Sequence, residues 1–145
     1  MRLLAIFLQQ TLCNMSKFLR CWFPALFWMG FIFTLSSRHS VEVSSEYIVN
    51  FLIFKTLHVI EYATLYLLLF RGFYAYRDKK VPFELILMKT AIWALLYAAS
   101  DEFHQTLTPH RDGNPRDVLI DSIGIFLMYS YIKYYFSGIK RFLLL

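Results

Sequence analysis

Four long runs of apolar residues alternate with short polar segments along the chain. The runs extend over about residues 18–36, 57–76, 83–103 and 118–136. Each run is close to the roughly 20 residues that an α-helix needs to cross the hydrocarbon core of a bilayer. The pattern therefore predicts an all-α polytopic membrane protein. Its four-transmembrane-helix bundle would be formed by residues 1–145 as a single domain.

Two shorter apolar stretches predict helices that lie in the membrane interface rather than across it. Between the first two runs, apolar residues recur at helical spacing over residues 43–54, which predicts a short interfacial helix. A brief apolar run over residues 3–8 predicts another near the N-terminus. In the first span, Pro24 is expected in the first full turn, where its missing N–H does little harm.

The composition supports a membrane location and excludes two other classes of protein. Of the 145 residues, 58% are hydrophobic and only 17% are charged, which is too apolar for a soluble domain of this size. Four spans of about 20 residues leave no room for a separate soluble catalytic domain. The net charge of +5 comes from scattered basic residues rather than from one patch, so we expect no nucleic-acid partner.

Lysine and arginine residues alternate in number from one side of the predicted bundle to the other. In the five segments before, between and after the spans, their counts are three, two, four, two and three, with Lys89 inside the third span. Because basic residues favour the cytoplasmic side, both termini and the middle loop are predicted to lie in the cytoplasm. The other two loops then face outward.

Nearly all polar residues near membrane depth fall at the outer end of this predicted bundle. They include His58, Glu61, Tyr62, Asp101, Glu102, His104, Gln105, Asp117 and Asp121. Ionisable groups cost about 2.5–3.5 kcal/mol at the centre of a bilayer and therefore usually face a bundle interior or a wet cavity. Gly124, three residues beyond Asp121, permits a close approach between the fourth helix and a neighbour.

The order and spacing of these residues resemble a known family. The motifs are His-Val-Ile-Glu-Tyr at 58–62, Ser-Asp-Glu-Phe-His-Gln at 100–105, Pro-His-Arg at 109–111 and Arg-Asp-Val at 116–118, followed by Asp121 and Gly124. Together they resemble the VanZ-like family, named for a protein associated with teicoplanin resistance, over about residues 36–129. Arg38 stands where that family often has a glutamine or a similar polar residue.

The resemblance implies a small multi-pass protein of the bacterial cytoplasmic membrane and cell envelope. Glycopeptide resistance is the phenotype for which the family is named. The resemblance supplies no mechanism, because one fold and one site can serve different roles in different hosts.

One hypothesis is an enzyme that acts on a lipid-linked envelope component in the outer leaflet. Its candidate catalytic residues are His58, Glu61, Asp101, Glu102, His104, Asp117 and Asp121. Either Glu61 or Asp101 would serve as the general base, with a histidine relaying the proton. The candidate substrate-binding residues are Tyr62, Gln105, Arg111 and Arg38, since arginine suits a phosphate or carboxylate.

A divalent metal is a candidate cofactor for this enzyme. Its candidate ligands are His58, Glu61, Asp101 and His104. In each of the two helices an imidazole and a carboxylate are three residues apart, a spacing that metal sites in helical bundles use.

Three other hypotheses account for the same residues. The cluster closes the outer end of the bundle as an ion-pair network without chemistry, or it binds a lipid headgroup or lipid-linked cell-wall precursor without turnover. A proton-coupled transporter is the third, since acidic residues and histidines in membranes can relay protons. Four short helices would then need to oligomerise to form a path. Membrane lipids are the expected partners in every case.

Overall fold

The computed structural model describes residues 2–37, 47–108 and 114–143 of the chain, with side chains over 15–37, 48–108 and 114–140. Every regular element in these ranges is an α-helix, which confirms the predicted all-α fold class. The four helices are α1 (Arg2–Ser36), α2 (Tyr47–Ala75), α3 (Phe83–Thr106) and α4 (Pro115–Leu143).

Three of these helices contain a stretch that is long and apolar enough to cross a membrane. The stretches are Met15–Ser36, Ile48–Ala75 and Phe83–Thr106, and they correspond to the first three predicted spans. In α4, tyrosines, Asp117 and Asp121 interrupt the apolar residues, and this helix does not reach the same hydropathy. Hydropathy therefore does not confirm the fourth span.

Three expectations about local structure differ from what the chain forms. Residues 47–54 are the first turns of α2 rather than a separate interfacial helix, and residues 43–46 lie outside the described residues. Residues 3–8 likewise belong to α1, which continues unbroken into the first span. Pro24 consequently lies deep inside α1, where it removes one helical hydrogen bond, and not in a first turn.

The starts of α3 and α4 follow from local sequence. Pro82 precedes α3 with φ −57° and ψ 141°, and Glu84 lies in the first turn, where a carboxylate interacts favourably with the helix dipole. At α4, the side-chain Oδ1 of Asn114 accepts a hydrogen bond from the backbone N–H of Arg116 at 3.0 Å. Pro115, the first helical residue, has no N–H to leave unpaired.

Contacts along the helices show that α2 and α4 run in the same direction. Lys55 contacts Asp117 early in both helices, whereas Phe70 contacts Phe136 late in both. Between these pairs the two backbones come very close, because a Cβ added at Gly124 would lie 2.1 Å from the carbonyl oxygen of Val59. The predicted close approach at Gly124 is thus confirmed, and the neighbour is α2.

The other helices alternate in direction around this pair. A hydrogen bond joins Ser36 to Asp101 at the ends of α1 and α3, while Trp22 packs on Phe73 where α1 begins its span and α2 ends. Among the described residues, α1 and α4 each contact α2 and α3 but do not contact each other. The bundle is therefore an up-and-down arrangement in which α2 and α3 separate α1 from α4.

The two ends of the bundle differ in chemistry. At the end where α2 finishes and α3 begins, four rings pack together with centroids 4.8–6.4 Å apart, those of Phe70, Tyr74, Phe83 and Phe136. We call this the aromatic end. The opposite end, where α1 and α3 finish, holds most of the buried polar side chains and is called the polar end.

Candidate functional site

The polar end concentrates polar groups inside the bundle. Six polar or charged side chains are buried in the described part of the chain, and five of them lie here: Ser36, Asp101, Glu102, Gln105 and Asp121. They come from α1, α3 and α4 because the alternating helix directions bring the C-terminal ends of α1 and α3 beside the first turns of α4. These five residues, together with His58 and Tyr62 of α2, are called the polar cluster.

Asp101 connects α1 to α3. Its Oδ2 atom accepts hydrogen bonds from the Ser36 hydroxyl at 2.6 Å and from the Gln105 side-chain amide at 3.1 Å. Gln105 lies one turn beyond Asp101, so that helical spacing alone places its amide beside the carboxylate. The same amide nitrogen reaches Oε1 of Glu102 at 3.3 Å and thus bridges two neighbouring carboxylates.

Glu102 connects α3 to the start of α4. Its Oε2 atom accepts the backbone N–H of Asn114, the residue that caps α4, at 2.9 Å. A carboxylate at a helix N-terminus is favoured by the helix dipole and by N–H groups that have no partner within the helix. Both oxygens of Glu102 are therefore engaged, which indicates a role in fixing the α3–α4 connection.

His58 and Asp121 connect α2 to α4. The His58 Nδ1 atom lies 3.1 Å from Oδ1 of Asp121, whose side chain is completely buried. When neutral His58 donates through Nδ1, its Nε2 atom is the ring nitrogen that can accept a proton. One turn closer to the start of α4, Asp117 forms an ion pair with Lys55 at 2.6 Å.

Tyr62 adds a phenolic hydroxyl to the cluster. Its side chain is fully buried, and its hydroxyl interacts electrostatically with Asp101, Asp121 and Glu102. Among the described residues, no group hydrogen-bonds to this hydroxyl, to Oδ1 of Asp101 or to Oδ2 of Asp121. Buried polar atoms nearly always have a hydrogen-bond partner in proteins, so three buried oxygens without one are unusual.

The four candidate metal ligands do not converge. His58 points to Asp121 of α4, whereas the His104 ring packs on Phe33 of α1 with centroids 4.4 Å apart. The two imidazoles are thus directed to opposite sides of the α2–α3 pair. In residues 15–37, 48–108 and 114–140, no group of three or more His, Cys, Asp or Glu side chains is arranged to hold a metal ion. The described residues do not fit the metal hypothesis, because helical spacing placed each pair on one helix but did not turn the two helices toward a common point.

The chain also matches a known protein family. The sequence model of the VanZ/LLP1 family matches residues 18–137. The chain belongs to the VanZ/LLP1 family. No curated protein and no solved structure matches it. The matched range contains the whole polar cluster and the ring cluster at the aromatic end, so the family relationship covers the bundle from end to end.

The remaining candidate residues of this VanZ/LLP1 protein have different positions. Glu61 is half-buried, interacts electrostatically with His58, and has its backbone carbonyl bonded by the Trp28 indole at 2.9 Å. His104 is half-buried as well, and its Nδ1 atom has no partner among the described residues. Arg38 and Arg111 lie outside the described residues.

Sequence reasoning missed three contributors to the polar end of this family member. Ser36 binds Asp101, Lys55 binds Asp117, and the backbone of Asn114 binds Glu102. The count of basic residues alone gives Lys55 no role at the site, although it is three residues before His58 and therefore on the same face of α2. That spacing was a usable signal, whereas nothing in the sequence points to the Asn114 N–H.

Proposed function

We propose that this VanZ/LLP1 protein binds the polar headgroup of a lipid-linked cell-envelope component at its polar end. In this proposal the protein spans the bacterial cytoplasmic membrane four times, with both termini in the cytoplasm and the polar end at the outer leaflet. Arg38 and Arg111 are proposed contacts for an anionic part of the headgroup, because the chain places them two residues after Ser36 and three before Asn114.

The observation that carries the proposal is the set of unpartnered oxygens on Tyr62, Asp101 and Asp121. A purely structural cap of the bundle would be expected to pair its buried polar atoms, because each unpaired one costs roughly 1–3 kcal/mol. Three such atoms at one end of the bundle are instead typical of a site that completes its hydrogen bonds with a ligand. Their position at one end favours a headgroup over a path through the bundle.

The pair of His58 and Asp121 favours a second form of this proposal, in which the bound headgroup is also chemically changed. A carboxylate that holds Nδ1 of a histidine orients the ring and stabilises its protonated state. The Nε2 atom of His58 would then take a proton from a bound hydroxyl or water. Glycopeptide susceptibility is a phenotype that such a change in the envelope would alter, as the family name suggests.

Lipid analysis of cells with and without the protein tests both forms. We expect the deletion to change the abundance of an envelope lipid if the protein is an enzyme, and the wild-type gene to restore it. The Asp101→Asn variant should insert normally but fail to restore the lipid profile. Asp78→Asn, at an exposed turn beyond the aromatic end, is the matched control and should behave as wild type.

The cellular lipid profile tests the enzymatic form, and lipid that copurifies with the protein tests headgroup binding. If the lipid profile is the same with and without the protein, the enzymatic form is wrong. Headgroup binding would still be supported by a lipid that copurifies with wild type and with Asp78→Asn but not with Asp101→Asn. Identical copurified lipids in all three proteins would contradict the whole proposal.

A further inference from the structure

Most of the unpartnered oxygens in the polar cluster are hydrogen-bond acceptors. Tyr62 and Asp121 are fully buried and Asp101 is 3% exposed, and each has one oxygen without a partner among the described residues. Two of these oxygens belong to carboxylates, which in the ionised form can only accept hydrogen bonds, and the third belongs to a hydroxyl that can accept as well as donate. A ligand that completes the cluster must therefore bring donors.

The charges of the described residues also indicate what kind of ligand the polar cluster would bind. Lys55 is engaged with Asp117 at 2.6 Å, and the imidazole of His58 is engaged with Asp121. Within the described part of the chain, Asp101 accepts hydrogen bonds from two neutral groups, the Ser36 hydroxyl and the Gln105 amide. Because buried charges are costly without a partner of opposite sign, this acidic surplus favours a cationic ligand and repels a phosphate.

The side chains that carry the three unpartnered oxygens interact with one another across helices. The Tyr62 hydroxyl interacts electrostatically with both Asp101 and Asp121, and the two carboxylates also interact with each other. They come from three helices, α2, α3 and α4, and all are buried at the polar end, so they do not line a single helix face. A primary ammonium has three N–H donors and a single positive charge, which matches three acceptors in an acidic surrounding.

We propose that the oxygens of Tyr62, Asp101 and Asp121 bind the primary ammonium of an amine-bearing headgroup. This inference rests on the proposed headgroup-binding function and specifies the class of ligand. A quaternary ammonium has the charge but no N–H donors, and a sugar has hydroxyl donors but no charge. The site should therefore discriminate against both.

Titration of the detergent-purified full chain with single lipids, followed by native mass spectrometry, tests the proposal. The probes are phosphatidylethanolamine, phosphatidylcholine and phosphatidylglycerol with identical acyl chains. We expect the wild type to bind phosphatidylethanolamine about tenfold more tightly than phosphatidylcholine, because hydrogen bonds to charged groups are lost with the methylated amine. Soluble ethanolamine as a competitor shows whether the amine alone is recognised or only the lipid that carries it.

Tyr62→Phe is the decisive variant because it removes only the hydroxyl and keeps the buried ring. It should reduce the preference for phosphatidylethanolamine by about tenfold, the loss of one bond to a charged group. Tyr66→Phe is the matched control, since the Tyr66 hydroxyl is also buried but donates to the Leu87 carbonyl at 3.0 Å. Asp121→Asn provides a second variant that removes charge from the cluster.

The possible outcomes separate this inference from the function on which it rests. An equal preference for phosphatidylethanolamine in wild type, Tyr62→Phe and Asp121→Asn would overturn the ammonium site. If phosphatidylglycerol binds most tightly and Tyr62→Phe weakens it, the ammonium inference fails while headgroup binding stands. If no variant changes the affinity of any lipid, both are wrong.

Discussion

Ser36 and Ser37 are neighbours in the chain, yet their hydroxyls have different roles. The Ser36 hydroxyl is buried and donates to Asp101 of α3 at 2.6 Å, while the exposed Ser37 hydroxyl donates to the Phe33 carbonyl within its own helix at 2.7 Å. Only the first bond joins two helices. The difference comes from the direction of each side chain, since successive residues of a helix do not face the same neighbour.

We predict that Ser36→Ala lowers the free energy of unfolding by about 1–3 kcal/mol, the cost of removing a partner from a buried charged acceptor. Thermal or denaturant unfolding in detergent micelles provides the measurement. Ser37→Ala is the matched control and should change the free energy by less than about 0.5 kcal/mol, as exposed substitutions usually do. Equal effects of the two variants would contradict the assigned α1–α3 contact.

At the scale of helices, the contact of α2 with α4 depends on one glycine. A methyl group at position 124 would overlap the backbone of Val59 and approach the backbone nitrogen of Ala63 at 3.1 Å. Backbone atoms cannot move aside as a flexible side chain can, so a larger residue must push the two helices apart. The same contact holds His58 near Asp121, one turn before the glycine on α4.

We predict that Gly124→Ala destabilises the bundle by about 1–3 kcal/mol, in the range of overpacked cores. It should also weaken headgroup binding, because separation of α2 from α4 moves His58 away from Asp121. Thermal unfolding and lipid titration of the same preparation measure the two effects.

Gly138→Ala serves as the control on the same helix, since nothing lies within 4 Å of a Cβ added there. Alanine is the better helix former, so this variant should be neutral or more stable by up to about 1 kcal/mol. A Gly124→Ala protein as stable as the Gly138→Ala protein would show that the two helices are farther apart than described.

At the scale of the whole molecule, the position of α4 supports the proposed fourth crossing, although the hydropathy of this helix is lower. It follows α2 from the Lys55–Asp117 pair near its start to the contact of Phe136 with Tyr74 near its kink at Tyr135. We therefore expect α4, which lies beside two apolar helices along their length, to have the same depth as those helices. Its polar residues are tolerated where they face the bundle, as the fully buried Asp121 does.

We predict that reporters fused to the two ends of this chain lie on the same side of the membrane, in the cytoplasm. Four crossings return the chain to its starting side, and the distribution of basic residues selects the cytoplasm. Green fluorescent protein, which fluoresces only inside the cell, and alkaline phosphatase, which is active only outside, give opposite readouts at each end. Reporters on opposite sides would mean that α4 does not cross.

The helices and the collection of polar residues at one end could be predicted from the sequence because both follow from one-dimensional pattern. Apolar runs of membrane length predict spans, and spans that alternate in direction bring His58, Asp101 and Asp121 to the same end. Gly124 was also predictable as a point of close approach, although its neighbour was not. These features need only helical geometry and the order of elements along the chain.

Only the tertiary structure decided which polar groups meet. Helical spacing shows that His58 and Glu61, or Asp101 and His104, lie near one another on a helix, but it does not set the rotation of that helix against its neighbours. That rotation follows from packing of all four helices, and it directs His58 toward Asp121 and His104 toward Phe33. For the same reason, packing dispersed the candidate metal ligands and left the oxygens of Tyr62, Asp101 and Asp121 unpaired among the described residues.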